Sequence, residues 1–266
     1  MTVFTGNKGS VVYSIDGGTT WKNFGTGVSI NNVSLRREII QVTGVGCRKP
    51  QALVGGRYSA SWSIDFNPTD GKIKEIIDDL GLLGVNPTKF SLKMEVDGIS
   101  YISNDTYASR LTLTSRIGEV VRGTIEGVAM DFLVGTGNGD INCDHGSPIT
   151  FVDSSVSVDG EDAGYVRSVS ININSAIEPV YTLGTEYFQD VYGRVITLSG
   201  RMSIVLNSIG MYTKFKSGSD VTFSIRMGSN TLTFTPSKIE EVGTSIRPGE
   251  VVEMSLAFVG KDLTVV

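Results

Sequence analysis

One histidine, His145, bounds the chemistry open to this sequence. A Ser-His-Asp triad, a Cys-His pair and a His-rich metal site all draw on an imidazole set among defined partners. His145 stands beside Asp140, Asn142, Cys143 and Asp144, a run that invites a metal reading. A calcium loop places oxygen ligands at fixed alternate positions and closes on a Glu, and a zinc site pairs Cys or His from two places. The run does neither and reads as a turn-rich loop. Gly135, Gly137 and Gly139 form a G-x-G-x-G without the strand–turn–helix setting of a phosphate cradle. The acidic neighbours Asp78-Asp79 and Glu240-Glu241 read as solvated charge. The sequence therefore implies no catalytic residue, no metal and no cofactor.

Ser14-Ile15-Asp16-Gly17-Gly18-Thr19-Thr20-Trp21 matches the Asp-box pattern of sialidase-type propellers. Asp16 can accept backbone N–H bonds across a tight turn, the glycines permit positive φ, and Trp21 can fold back. A propeller repeats such boxes at blade spacing and this chain has one, so the expectation is a structural turn.

The elements that would carry these residues are strands. Glycine is frequent, at 32 residues, and proline scarce, at 7. Ser, Thr, Val and Ile abound, which favours short strands and tight turns. The net charge of −5 argues against a protein that grips nucleic acid by its phosphates. Cys47 and Cys143 lack CxxC spacing and read as free thiols of a reducing compartment. The N-terminus shows no signal-peptide pattern, and no apolar run reaches the ~20 residues of a membrane span.

A long internal repeat organises the chain. Arg116-Ile117-Gly118-Glu119-Val120-Val121 recurs as Arg247-Pro248-Gly249-Glu250-Val251-Val252, 131 residues later. Phe90-Ser91-Leu92-Lys93-Met94 recurs as Phe223-Ser224-Ile225-Arg226-Met227, 133 later, and Ser109-Arg110-Leu111 as Ser237-Lys238-Ile239, 128 later. Asn32-Val33-Ser34-Leu35 resembles Ser168-Val169-Ser170-Ile171, 136 later. Two tandem antiparallel β-sandwich or barrel domains follow, residues 1–134 and 148–266, joined by a linker at 135–147. Each is expected to open with a hairpin (10–14 with 27–36; 154–158 with 165–173). A long excursion comes next (41–57; 175–192), then an alternating strand. Tyr58, Ala60, Trp62, Ile64 and Phe66 share one face of the first such strand. In the second, Val195, Thr197, Ser199 and Arg201 alternate with Ile196, Leu198, Gly200, Met202 and Ile204. A helix capped by Asp70, with Ile73, Ile76, Ile77 and Leu80 at i, i+3, i+4 and i+7, ends at Gly81. Its counterpart at 207–215 is weaker. Three strands close each copy, the first set with a break near Asn104.

This order of elements resembles the tail tube proteins of long-tailed bacteriophages, over nearly the whole chain. The resemblance implies a virion tail subunit, assembled in the host cytoplasm, that is not an enzyme. Its partners would be copies of itself in stacked rings, other tail proteins, and viral double-stranded DNA sliding through the lumen without specific binding. A duplicated chain would build a pseudo-six-fold ring from three subunits. Residues 1–146 carry 14 Lys and Arg against 15 Asp and Glu, and residues 147–266 carry 9 against 13, so a weakly acidic lumen is expected. Candidate assembly residues lie in the excursions (Arg48, Lys49, Arg57, Tyr181, Tyr187, Phe188) and in the recurring turn (Arg116, Glu119, Arg247, Glu250). The competing reading is a tandem carbohydrate-binding or tail-tip receptor-recognition module using Trp21, Tyr187, Phe188 and Tyr192. Trp62, on an alternating apolar face, is expected in the core.

Overall fold

A computed structural model describes residues 9–43, 49–137, 146–205, 210–245 and 252–266. The first half contains β1 (Gly9–Ser14), β2 (Lys22–Asn23), β3 (Thr26–Val42), β4 (Ala52–Asn67) and α1 (Lys72–Asp79). β5 (Phe90–Val96), β6 (Ile99–Arg116), β7 (Arg122–Ala129) and β8 (Leu133–Thr136) complete it. The second half contains β9 (Ser154–Val158), β10 (Glu161–Asp162), β11 (Val166–Asn174), β12 (Ile177–Val180), β13 (Asp190–Gly193) and β14 (Thr197–Val205). α2 (Gly210–Ser217), β15 (Val221–Met227), β16 (Asn230–Ser245), β17 (Glu253–Gly260) and β18 (Leu263–Val265) follow. The protein is mainly β and antiparallel, as its composition and alternation predict.

Eight strands form one antiparallel sheet in the order β3-β4-β7-β6-β11-β14-β17-β16. A second layer lies over each half: β2-β1-β5 runs into the start of β6, and β10-β9-β15 into the start of β16. The registers agree in detail. β6 bulges against β7 between Ala108 and Arg110, and β16 bulges against β17 between Ile239 and Glu241, an offset of 131 residues. The β5–β6 and β15–β16 ladders also superpose at 131. Phe90 therefore corresponds to Val221, not to Phe223, and Ala108, not Leu111, corresponds to Ile239.

The expected opening hairpins do not form. β1 pairs with β2 and β5, while β3 pairs with β4. β9 likewise pairs with β10 and β15, and β11 with β14 and β6. The reason is burial. Val11, Val12 and Tyr13 are all buried, so β1 belongs between neighbours rather than at a two-stranded rim. The Asp-box turn then reverses the chain as expected. Asp16 Oδ1 accepts from the amides of Thr19 and Thr20 at 3.0 and 2.9 Å, and Gly17 and Gly18 both have positive φ. Phe24, fully buried, carries the chain across the core into β3.

The alternating strands behave as read. Ala60, Trp62, Ile64 and Phe66 on β4, and Leu198, Met202 and Ile204 on β14, are buried. Ile73, Ile76 and Ile77 pin α1 to the same core, and Gly81 takes a positive φ just beyond it. α2 starts at Gly210 and buries no residue completely, in keeping with its weak stripe; residues 207–209 lie outside the described residues. β6 does not break near Asn104; its register against β5 shifts there by one residue. The two ends of the first excursion are ladder, because β3 runs to Val42 and β4 starts at Ala52.

Large and small residues trade places across the sheet. Trp62 sits opposite Gly127, while at the corresponding ladder position Gly200 sits opposite Phe258. A β-carbon on Gly127 would lie 2.1 Å from the Tyr107 carbonyl oxygen and 2.4 Å from the Trp62 ring. Gly127→Ala is expected to cost about 1–3 kcal/mol by overpacking. Urea denaturation checks it, with Gly135→Ala, whose added carbon meets nothing within 4 Å, as the near-neutral control.

Candidate assembly surface

The eight-stranded sheet has one apolar face on the core and one polar face outside it. Along β6 and β11 the inward residues Leu111, Leu113, Ile171 and Ile173 are at most 1% exposed. The outward residues between them are hydroxyl, amide and charged groups. Thr112 donates to Asn172 and Thr114 meets Ser170, each at 3.4 Å, across the β6–β11 ladder. Thr124 donates to Asp65 at 2.6 Å, and Arg110 meets Glu126 at 3.5 Å. The face is hollowed by two side-by-side depressions. One, of about 380 Å³, is lined by residues including Ser170, Arg201 and Ser255; the other, of about 490 Å³, by residues including Ser29, Asp65 and Thr124. Arg116 and Thr114 line both.

The two halves meet along seven consecutive residue pairs, Ser168 opposite Arg116 through Asn174 opposite Arg110. The chain between them adds to this seam. Ile149, buried, donates to the Pro68 carbonyl at 3.0 Å and accepts from the Val121 amide at 2.8 Å. Asp70 adds a further tie, and here the expectation is corrected. Asp70 does not cap α1, whose N-cap is Gly71 in the left-handed region without a side-chain cap bond. Its carboxylate instead accepts from the Ser229 amide at 2.6 Å, in the β15–β16 turn. Asn230 of the same turn accepts from the Lys74 amide in the first turn of α1 at 3.3 Å. The second half thus supplies the acceptor that the local sequence does not.

Four candidate residues of the excursions come together between the halves. Arg57 pairs with Glu38 at 3.1 Å, and its guanidinium lies 5.4 Å from the centre of the Tyr181 ring. Tyr181 donates to the Tyr58 carbonyl at 2.9 Å, and Tyr187 packs on the Tyr58 ring at 5.1 Å. Phe188 is buried in a small cluster with Tyr107 and Val191. The β12–β13 hairpin is thereby fastened onto β4 of its own chain, and an ion pair between Arg37 and Glu186 reinforces it. Lys49 is exposed at the tip of the β3–β4 hairpin, whose shaft exposes Ile39, Ile40, Val42, Leu53 and Val54. Glu119 closes the expected turn through its amide to the Arg116 carbonyl at 3.0 Å, and its carboxylate faces Arg122 at 3.7 Å rather than Arg116. Arg48, Arg247 and Glu250, both cysteines, and the Asp140–His145 run lie outside the described residues.

Two strand edges stay open. Among the described residues β3 pairs only with β4, and beyond Ser237 β16 pairs only with β17. The residues of these edges escaped the sequence reading because edge status is a property of topology. The recurrence at 131 residues was the one signal that bore on them.

Trp62 is buried as expected, and among the described residues no helix is long and apolar enough to cross a membrane. Among the described residues no cluster of His, Cys, Asp or Glu could hold a metal ion. The fold and this surface define a mainly β, antiparallel protein with two open strand edges among the described residues. A family model described as "Phage tail tube protein" matches residues 2–260, and the chain belongs to that family of bacteriophage tail components. No curated protein matches it.

The Asp70 latch has a pH signature. Hydrogen bonds from Ser229 hold the Asp70 carboxyl below the usual carboxylate range. A lowered folded pKa means its contribution is complete above the unfolded value, about 3.9, and is lost as pH falls through the folded value. Asp70→Ala is expected to remove that contribution and to speed amide exchange at Ser229 at neutral pH, read by hydrogen-exchange mass spectrometry. Unchanged exchange there contradicts the latch.

Proposed function

We propose that this tail tube subunit closes into a ring of three chains, each contributing two copies of one domain, residues 1–134 and 148–266, with 135–147 between them. The observation that carries the reading is the internal seam. β6 of the first half and β11 of the second complete each other's ladders. β16 occupies in the second half the place of β6, and β3 in the first half the place of β11. These two strands are the open edges. Unpaired edges invite strand addition, and a head-to-tail interface that repeats by rotation closes a ring. Six equivalent four-stranded units would then enclose one barrel.

The polar, hollowed face would line the channel. A hydroxyl-rich wall with charges of both signs supports this reading better than a plainly acidic one: Arg110 lies against Glu126, and Arg116, Arg201 and Glu241 surround one depression. Clustered cations without acidic neighbours are what hold DNA phosphates, and charges of both signs set among hydroxyls offer few. Such a wall would let the genome pass without binding. The apolar shaft of the β3–β4 hairpin suits contact with a neighbouring ring once rings stack. Assembly would take place in the host cytoplasm, alongside the other tail proteins.

Negative-stain electron microscopy of the concentrated protein, with mass from light scattering on the same sample, tests this. Rings or hollow tubes with a ring mass of three chains are expected. A ring of six chains would contradict the duplicated-subunit reading, and a discrete monomer that binds glycans would favour a carbohydrate-binding module.

A further inference from the structure

We infer that the junction between neighbouring subunits is a β16–β3 ladder in one fixed register, with Glu241 of one chain opposite Arg36 of the next. The inference rests on the ring reading above and adds its register and its specificity. The register is carried over from the internal seam through the ladders of the eight-stranded sheet. Arg110 and Leu111 on β6 correspond to Glu241 and Val242 on β16 at the offset of 131. Asn174 and Ile173 on β11 correspond to Arg36 and Leu35 on β3 at an offset of 138, set by their partners on β14 and β4 and by the common pairing of those strands with β17 and β7. Within the chain, Asn174 faces Arg110 and Ile173 faces Leu111. Between chains, Arg36 then faces Glu241 and Leu35 faces Val242.

Burial argues for the same occupant. Leu35 is 44% exposed, while its counterpart Ile173 is fully buried under the neighbouring half. Val242 is partly buried, while its counterpart Leu111 is 1% exposed. Both edges lack the neighbour that the internal seam possesses. Charge argues for the register. On its own hairpin Arg36 faces Ser59, and on its own sheet Glu241 faces Ala257, so neither has an opposite charge directly across its existing ladder. A two-residue slip in one direction, which would keep every side chain on its proper face, sets Arg36 against Gly243, and a slip in the other direction carries Arg36 across the β16 bulge to Ile239, which packs on the core. Opposite charges directly across an antiparallel pair favour it and like charges oppose it. The internal seam places a neutral Asn174 at this point, so the ion pair would mark the junction between chains and not the one within a chain.

The test is a charge swap in the full chain, with circular dichroism as the check of folding and light scattering and negative-stain microscopy as readouts. Arg36→Glu and Glu241→Arg are each expected to lose ring formation at concentrations where the unaltered chain forms rings, because like charges then face each other. Arg36→Glu with Glu241→Arg is expected to restore it. A second arm places Asn32→Cys and Ser245→Cys in a chain with Cys47 and Cys143 replaced by Ser. These positions correspond to Ser170 and Thr114, whose hydroxyls lie 3.4 Å apart across the internal seam. Oxidation should link chains into closed covalent trimers. Rings that survive both single reversals, or a folded double reversal that makes none, or rings that do not cross-link, would overturn the register while leaving the ring. An unaltered chain that never forms rings would overturn the ring reading and the register together.

Discussion

Backbone hydrogen bonding along strand edges is the constraint on which this structure depends. A sheet edge exposes a row of donors and acceptors that water or another strand must satisfy. This chain meets the demand once, internally, by adding β11 to β6. Side chains alone would not hold the halves in that alignment. Leu111, Leu113, Ile171 and Ile173 bury the core side of the seam, and threonine, serine and asparagine cover the other. The Ile149 bridge and the Asp70 and Asn230 bonds add further ties between the halves. We propose that this seam is the template on which further copies of the chain join.

Much of the fold was legible because alternation marks a half-buried strand. Trp62, Ile64 and Phe66 fell inward as their spacing demands, and the isoleucine stripe of α1 found the core. The same period of two limited the repeat alignment. A two-residue slip leaves every residue on its proper face, so Phe90–Met94 matched Phe223–Met227 in pattern while the ladder aligns Phe90 with Val221. Strand partners were less legible. Sequence neighbours suggested β1 with β3, but β1, with three consecutive buried residues, is flanked by β5 along one edge and by β2 along the other.

The assembly surface was legible only in part. The aromatic residues Tyr181 and Tyr187 of the second excursion do cluster with Arg57 and Tyr58, but they fasten one half of the chain to the other. Asp70 preceded a helix and so resembled a cap, yet Gly71 takes the left-handed turn and frees the carboxylate for Ser229, 159 residues away. Long-range partners of this kind leave no local signature. Arg36 and Glu241 carried none either, since an exposed charge on a strand reads as solvated until its edge is known to be open.

The central claim is that β3 and β16 pair with each other across subunits. Hydrogen-exchange mass spectrometry on the full chain, unassembled and assembled, addresses it most directly, because exchange reports the ladder bonds themselves. The account predicts that amides of residues 32–36 and 241–245 gain protection together on assembly, to the level already shown by residues 110–116 and 168–174. Assembly that leaves both edges exchanging freely, with new protection confined to the β3–β4 hairpin tip, would contradict it.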